Sequence, residues 1–251
     1  MEMTHFKKSR LLLVCLIAVL LICSLSIYFT YAAPQGATIG TPAPSVDSGP
    51  TINPQSRNDT GGQIVTLSLS LEQQNFGWKA YVGNVTGSYV LKNSYNYSIY
   101  EWSLGTAIAG EVYISRNSSV NWSTGAVTCA SQAEMIAEQA LFGMLNNAPD
   151  NINNTFNSTF HNAFDAGTNH LAVCPTVALW VNDTAQMQNG SNALFQEVVL
   201  HDEHTVVYAS VITNDKTGFD NRSTFDFQAI VPENRTSSVG TPYYFYVELG
   251  N

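Results

Sequence analysis

The chain has 251 residues with a formal net charge of −9, and only 12% of the residues are charged. This length suits one domain with a sizeable hydrophobic core. The negative charge would repel phosphate backbones and anionic lipid headgroups, so the composition disfavours a nucleic-acid-binding protein.

An uncharged apolar run of 23 residues, Leu11 to Ala33, follows the basic residues Lys7, Lys8 and Arg10. About 20 apolar residues of helix match a hydrocarbon core of about 30 Å, so residues 1–33 are predicted to be a transmembrane anchor or a signal peptide. The basic flank would stay in the cytoplasm. We therefore expect a single-pass protein on the extracellular face of the cell membrane. If the small residues that end the run form a cleavage site, the protein would instead be secreted.

Residues 34–63 have the composition of a tether. They include five of the nine prolines, together with Gly, Ser and Thr, and no large apolar cluster. At about 3.1 Å per residue, such a semi-extended linker could hold a domain up to about 90 Å from the bilayer. The remaining residues, 64–251, are predicted to form the folded ectodomain. The whole exported part, residues 34–251, has seven basic residues against 18 acidic ones.

From residue 64 onward, apolar residues recur with period two, which is typical of strands with one buried face. Strands are predicted at residues 64–71, 78–82, 89–91, 97–102, 111–115, 176–181, 195–201, 205–213, 224–231 and 243–249. A mainly β fold is therefore expected, and about ten strands with short turns favour a β-sandwich. Trp78 and Trp102 are expected to anchor its core, with a sugar-binding surface of Tyr and Trp residues as the alternative.

One helix is predicted to interrupt the strands. Ser131 and Glu134 have the spacing of a capping box, and an apolar stripe of helical period continues to Leu145 before two asparagines and a proline. Residues 150–170 are rich in Asn and irregular. Three phenylalanines in this stretch are expected to fill the core, with a short second helix as the alternative. They are Phe156, Phe160 and Phe164.

The four cysteines divide into two pairs. Cys15 and Cys23 lie in the apolar run and behave there as small hydrophobic residues. Cys129 and Cys174 are the two in the exported part, where an oxidising compartment favours a disulfide between them. The chain-entropy model assigns such a bridge about 4 kcal/mol of stabilisation. It would tie the start of the helix to the segment that enters the strand at 176–181.

Eleven Asn-x-Ser/Thr sequons are present, whereas the residue frequencies predict about four. Asn-rich turns could produce such triplets without function. The alternative is a heavily N-glycosylated protein, in which sugars replace charge as the solubilising coat. The sequon asparagines are Asn58, Asn84, Asn96, Asn117, Asn121, Asn153, Asn157, Asn182, Asn189, Asn221 and Asn234.

The densest polar sequence, residues 201–204, contains a candidate metal pair, His201 and His204. Two histidines three residues apart could bind one ion if a third ligand came from elsewhere. A solvated turn between strands 195–201 and 205–213 is the favoured interpretation. Residues 214–221 contain oxygen ligands suited to calcium but not the EF-hand spacing, so an ordinary turn is favoured there too.

Catalytic motifs are missing from the sequence. It has no Gly-x-Ser-x-Gly elbow, phosphate-binding loop or dinucleotide fingerprint, so neither an enzymatic activity nor a cofactor is predicted. A Cys174/His pair with His161 or His170 would require that no disulfide forms. Paired carboxylates for glycoside hydrolysis depend on a separation that only a structure gives.

Several longer segments resemble a group of uncharacterised archaeal membrane-anchored cell-surface glycoproteins with a β-rich ectodomain. The similar segments are FGWKAYVGNVTGSYVL, YEW, GEVY, FQEVVLHDEHTVVYASVI, TGFD, FDFQAIVPE and TPYYFYVEL. They span roughly Phe76 to Leu249. The resemblance implies an archaeal envelope location and a β-rich ectodomain, and it implies no functional residues.

These observations favour an exported, N-glycosylated cell-surface protein that acts as a non-enzymatic binding or structural module of the envelope. Its expected partners are the membrane, through the N-terminal segment, and envelope glycans or other surface proteins. The first alternative is a subunit of an extracellular filament assembled by strand exchange, with part of residues 34–71 donated and residues 65–71 as the favoured donor strand. The second alternative is an envelope hydrolase.

Overall fold

The computed structural model describes residues 34–40, 75–103, 109–190, 192–234 and 239–250. The chain divides into two units, Met1–Ala32 and Ala33–Asn251. The predicted anchor or signal peptide, most of the tether, the predicted strand 64–71 and the sequon at Asn58 lie outside the described residues. Among the residues described, no helix is long and apolar enough to cross a membrane.

The described part of the chain is mainly β, as the sequence predicts, with two short helices. The strands are β1 Gln35–Gly36, β2 Trp78–Gly83, β3 Ser88–Lys92, β4 Ser98–Ser103, β5 Ala109–Ser115, β6 Thr128–Cys129, β7 Phe164–Ala166, β8 Asn169–Leu171, β9 Thr176–Ala178, β10 Gln196–His201, β11 Val206–Val211, β12 Lys216–Thr217, β13 Thr224–Phe225, β14 Phe227–Pro232 and β15 Tyr244–Gly250. The helices are α1 Gln132–Leu141 and α2 Ile152–Thr155.

A seven-stranded antiparallel sheet forms the centre of the molecule. Its order is β1, β15, β5, β11 and β10, and the short strands β6 and β9 share the far edge of β10. The predicted hairpin is confirmed, because β10 and β11 pair across the turn at residues 202–205. The other strands form two-stranded sheets: β2 with β14, β3 with β4, β7 with β8, and β12 with β13.

Both faces of the central sheet are buried. On one face, side chains such as Ile114 and Val199 pack against the β2–β14 pair and against α1 and α2. On the other face, side chains such as Val198 and Leu200 pack against the β7–β8 hairpin. This burial explains why β10 and β11 have continuous apolar runs rather than alternating ones. The described residues show a multi-strand sheet covered on both sides, but not a second sheet of comparable size.

Helix α1 begins where the capping box predicts. Ser131 Oγ accepts a hydrogen bond from Glu134 N at 3.3 Å, and the Glu134 carboxylate accepts one from Ser131 N at 2.6 Å. The helix ends at Leu141, four residues earlier than predicted. Gly143 has φ +65°, and the N–H groups of Gly143 and Met144 bond back to carbonyl groups of the last turn. This left-handed glycine cap stops the helix although the apolar stripe continues.

The phenylalanines after α1 do not all enter the core. Phe156 and Phe164 are buried, as expected, and Phe156 directly follows the four-residue helix α2. Phe160 is 60% exposed, so its predicted core position is wrong. The strand alternation that buries Phe164 does not extend back to Phe160, because residues 159–163 are irregular.

The predicted disulfide between Cys129 and Cys174 is confirmed, with a Cα–Cα distance of 4.9 Å. Cys129 ends β6, and Cys174 lies just before β9. Because both strands pair with the same edge of β10, the bridge joins two short segments that follow one another along that edge. It therefore holds the start of α1 against the central sheet.

Candidate binding surface

The hairpin formed by β3 and β4 presents apolar side chains to solvent. Tyr89 lies opposite Trp102, and Leu91 lies opposite Tyr100, so these four side chains share one face. The rings of Tyr100 and Trp102 meet edge to face with centroids 4.7 Å apart. All six residues of β4 are exposed.

The aromatic hairpin, residues 88–103, therefore has an unusual surface for a soluble domain. Side chains exposed by 50 to 81% are those of Leu91, Tyr95, Tyr97, Ile99, Tyr100 and Trp102. Three of them, Leu91, Tyr100 and Trp102, lie together on one face of the hairpin. Exposed apolar groups that lie together mark interaction surfaces, and Tyr and Trp are enriched in such surfaces because their rings combine an apolar body with a polar group. An isolated two-stranded hairpin is also marginally stable in water, so a partner would stabilise this one.

The tip of the aromatic hairpin is ordered by Asn93. Its side-chain oxygen accepts hydrogen bonds from the N–H groups of Tyr95 and Tyr97, both at 3.0 Å. Asn96 has φ +68°, which an Asn tolerates in a tight turn. Because Asn96 is also a sequon asparagine, the tip combines exposed aromatic rings with a potential glycan.

The two predicted core tryptophans differ in their environments. Trp78 packs against the core, and its indole Nε1 donates a hydrogen bond to the carbonyl oxygen of Asp150 at 2.8 Å. Trp102 is 50% exposed, so its prediction as a core anchor is wrong. The period-two pattern of β4 is genuine, but in the described part of the chain this strand belongs to a two-stranded sheet, and all six of its residues are exposed.

The histidines of the candidate metal pair are not brought together with a third ligand. His201 Nδ1 lies 3.2 Å from a carboxylate oxygen of Glu134. Asp202, between the histidines, closes the hairpin turn by accepting hydrogen bonds from the N–H groups of His204 and Thr205. In the part of the chain that the structure describes, no three His, Cys, Asp or Glu side chains form a group that could hold a metal ion.

The environment of Asp202 explains its role in the turn. Burial by itself would raise the pKa of this carboxyl group, but hydrogen bonds from Thr205, His204 and Asn121 outweigh it and keep the pKa below its ordinary value. Asp202 is therefore a charged acceptor whose oxygens already have donors. Residues 201–204 therefore form a turn, as the sequence favours, but Asp202 within it is buried rather than solvated.

The alternative of a catalytic cysteine is wrong. Cys174 is bonded to Cys129, so it provides no thiolate. His161 Nε2 instead accepts a hydrogen bond from the backbone N–H of Cys174 at 3.0 Å. The imidazole of His170 lies 2.8 Å from Asp165. Both histidines thus have structural contacts on the β7–β8 side of the molecule.

A buried pair of carboxyl groups, which sequence reasoning missed, lies at one end of the central sheet. Glu111 of β5 and Glu248 of β15 are directly opposite each other, and each is 7% exposed. Glu248 accepts hydrogen bonds from Tyr113 Oη at 3.1 Å and from Gly167 N at 3.0 Å. Burial, followed by repulsion from Glu248 and Asp165, raises the pKa of Glu111 to about 8.

This carboxyl pair does not have the setting of a glycosidase centre. Hydrolysis of a glycosidic bond needs two carboxyl groups beside an accessible sugar, whereas the turn between β7 and β8 bonds directly to Glu248. One surface cavity, of about 340 Å³, is lined by residues 162, 192–194, 196 and 211–213, and another, of about 490 Å³, is lined by residues 217 and 221–224. Neither is lined by a carboxylate. The arrangement gives no support to the hydrolase alternative.

The sequon asparagines lie on the surface. Ten of the eleven are in the described residues, and none of those ten is buried. Nine of the ten lie outside helices and strands, the exception being Asn153 in α2. Asn182 and Asp183 both have positive φ and form a two-residue hairpin turn between Val181 and Thr184. Such protruding turns are accessible to a modifying enzyme.

Comparison of the chain with protein-family models, with curated proteins and with solved structures finds no match.

Proposed function

We propose that the chain is an exported, N-glycosylated cell-surface protein that acts as a non-enzymatic binding or structural module of the envelope. The surface position of the sequons supports this proposal most directly. Eleven sequons are about three times the number expected by chance, and ten described asparagines are all at least partly exposed. The low fraction of charged residues leaves the protein in need of another solubilising group, and sugars on the sequons would supply it. Sequons that are never glycosylated would leave this need unmet.

The proposed location follows from the same argument. Residues 1–33 would anchor the protein in the cell membrane with a cytoplasmic N-terminus, or would be removed during secretion. The disulfide fits an oxidising compartment outside the cytoplasm. We also propose that the protein is related to the archaeal surface glycoproteins that its sequence resembles, and that its ectodomain is a two-sheet sandwich. For the sandwich, β2 and β14 would be part of the second layer over the central sheet.

Glycopeptide mass spectrometry of the protein purified from its native host tests the proposal. We expect sugar on several of the exposed asparagines, with Asn182 and Asn157 among them. Replacement of either residue by Gln should remove one glycan mass. Asn154→Gln should remove none, because Asn154 is the middle residue of the Asn153 sequon and its replacement leaves that sequon intact. A chain without sugar at every sequon would contradict the proposal.

The aromatic hairpin is the proposed binding surface of this module. Its uncharged face, with Tyr100 and Trp102, suits a neutral partner such as an envelope glycan, because an anionic polymer would be repelled by the net negative charge. The proposal therefore assigns the sequence alternative of a Tyr and Trp sugar-binding surface to this hairpin.

Binding to isolated envelope polysaccharide, measured by affinity electrophoresis, tests this assignment. The double variant Tyr100→Ser/Trp102→Ser should weaken binding at least tenfold, since exposed aromatic residues dominate such contacts. Phe160→Ser is the matched control, because Phe160 is exposed to a similar degree outside the hairpin. Equal binding by the double variant and the control would assign the function to another surface.

A further inference from the structure

The two edges of β15 are paired very differently. On its inner edge, all seven residues of β15 pair with β5. On its outer edge, β15 pairs with the two-residue strand β1, in which Gln35 lies opposite Val247 and Gly36 opposite Tyr246. One further hydrogen bond runs from Ala37 N to the carbonyl oxygen of Phe245 at 2.8 Å. Among the described residues, Tyr89 Oη also donates a hydrogen bond to the carbonyl oxygen of Leu249 in β15 at 3.3 Å. An edge strand that is only partly paired is a template for another chain.

The segment that contains β1 is only lightly attached to the domain. Of residues 34–40, only Pro34 is buried, and Ile39 is 61% exposed. The segment therefore buries little apolar area, and its release from β15 would cost little free energy compared with global unfolding.

The length of the connecting chain permits the segment to pair elsewhere. The predicted tether continues from residue 41 to residue 63, and 23 residues can span up to about 75 Å when fully extended. A domain of this size is about 40 Å across. The same segment could therefore reach β15 of its own chain or β15 of a neighbouring chain.

We propose that residues 34–40 of one copy pair with the outer edge of β15 in a second copy, so that β1 is an exchangeable strand. The backbone hydrogen bonds would be the same as within one chain, so the choice between the two pairings is set by effective concentration. A high local density of copies favours exchange. Each copy has one donor segment and one acceptor edge, so exchange either closes between two copies as a reciprocal dimer or continues from copy to copy as a head-to-tail chain.

The chemistry of the paired surfaces is compatible with this exchange. Neither residues 34–40 nor β15 contains a sequon, so no glycan is attached to the exchanged strands themselves. The sequence alternative of a filament assembled by strand exchange favoured residues 65–71 as the donor strand. In the present proposal the donor strand is β1 instead. The proposal goes beyond the proposed function, since it depends on β15 and on residues 34–40 and not on glycosylation.

Mixing two variants, each with one free cysteine besides the Cys129–Cys174 disulfide, tests the exchange directly. One full-length chain carries Gln35→Cys and the other carries Val247→Cys, both with Cys15→Ser and Cys23→Ser. Residues opposite each other in an antiparallel pair have Cα atoms about 5.5 Å apart, which is within disulfide range. Neither variant can form this bond within one chain, so a covalent dimer after mild oxidation reports exchange.

We expect the mixed sample to form several times more covalent dimer than Ile39→Cys mixed with Val247→Cys. Ile39 is also exposed and on the same segment, but it lies outside the paired register. Equal yields from the two mixtures would overturn the proposal and assign β1 to its own chain.

A second variant gives an answer even if Val247→Cys folds poorly. Ala37→Pro removes the N–H that bonds to Phe245 and lies in an exposed segment away from the core. Sedimentation velocity of the otherwise unmodified chain should show association that rises with concentration, and Ala37→Pro should reduce it to monomer. Unchanged association in Ala37→Pro, or a monomer for the unmodified chain at all concentrations, would also overturn the proposal.

Discussion

Replacement of Glu111 by Gln should remove a large part of the pH dependence of stability. Glu111 faces Glu248 on the neighbouring strand, and no cation is recorded beside either carboxyl group among the described residues. Burial, with repulsion from Glu248 and Asp165, raises the pKa of Glu111 from 4.5 to about 8. The folded state therefore holds a proton on Glu111 that the unfolded state loses near pH 4.5.

The sign and the size of the effect follow from proton linkage. Because the folded protein binds more protons than the unfolded protein, the contribution of Glu111 to stability is complete below pH 4.5 and is lost as the pH rises through 8. At about 1.4 kcal/mol for each pH unit, the free energy of unfolding should fall by about 5 kcal/mol over that range. Burial also raises the pKa of Glu248 and of Glu197, so both contribute in the same direction.

Urea unfolding followed by fluorescence of the four tryptophans gives the measurement. At pH 4.5, Glu111→Gln should be about as stable as the parent, because Gln resembles the protonated carboxyl group. At pH 8 the variant should be more stable by a few kcal/mol. Glu101→Gln, on the exposed hairpin, is the control with the same change of charge. Equal pH slopes for Glu111→Gln and the parent would refute this account of the buried pair.

Four further variants test the fold. Joint replacement of Cys129 and Cys174 by Ser should lower the free energy of unfolding by about 2–5 kcal/mol in urea titrations, and no change would show that the bridge constrains neither state. Trp78→Ala should cost about 3 kcal/mol, whereas Trp102→Ala should cost less than about 0.5 kcal/mol; equal costs would contradict the difference in burial. Gly110→Ala should abolish folding or lower the melting temperature by more than 10 °C. Gly110 has φ +134°, which strains any other residue, and the new Cβ would collide with the backbone carbonyl oxygen of Glu248 in β15.

The acidic pair has a consequence for the environment in which the protein is most stable. Buried carboxyl groups without cations favour the protonated state, so the fold gains stability as the medium becomes more acidic. Residues 34–251 also have 18 acidic residues against seven basic ones, so protonation of carboxylates decreases the net negative charge of this part under the same conditions. A melting temperature that rises from pH 8 to pH 5 would agree with this expectation, and one that falls would contradict it.

Much of the local structure could be predicted because it depends on neighbouring residues. The capping box at Ser131 and Glu134 starts α1 through two hydrogen bonds within one turn of helix. The turn at residues 202–205 forms because Asp202 accepts hydrogen bonds from the next residues along the chain. The disulfide could be predicted by counting cysteines, since residues 34–251 contain only Cys129 and Cys174.

Other features depend on which strands become neighbours. Trp102 has the same alternating context as a core residue, yet β4 pairs only with β3 and joins no covered sheet. The carboxyl pair arises because β5 and β15, far apart in sequence, align Glu111 with Glu248. Gly143 could have signalled the end of α1, but the continuing apolar stripe concealed it.

The sequence by itself determined that this chain is mainly β, that one capped helix interrupts the strands and that Cys129 pairs with Cys174, because period, capping and cysteine number are local or compositional properties. Tertiary structure decided which aromatic residues remain exposed, which carboxyl groups lose their solvent and which segment occupies the outer edge of β15. Those outcomes depend on strand order and register, which no window of the sequence contains.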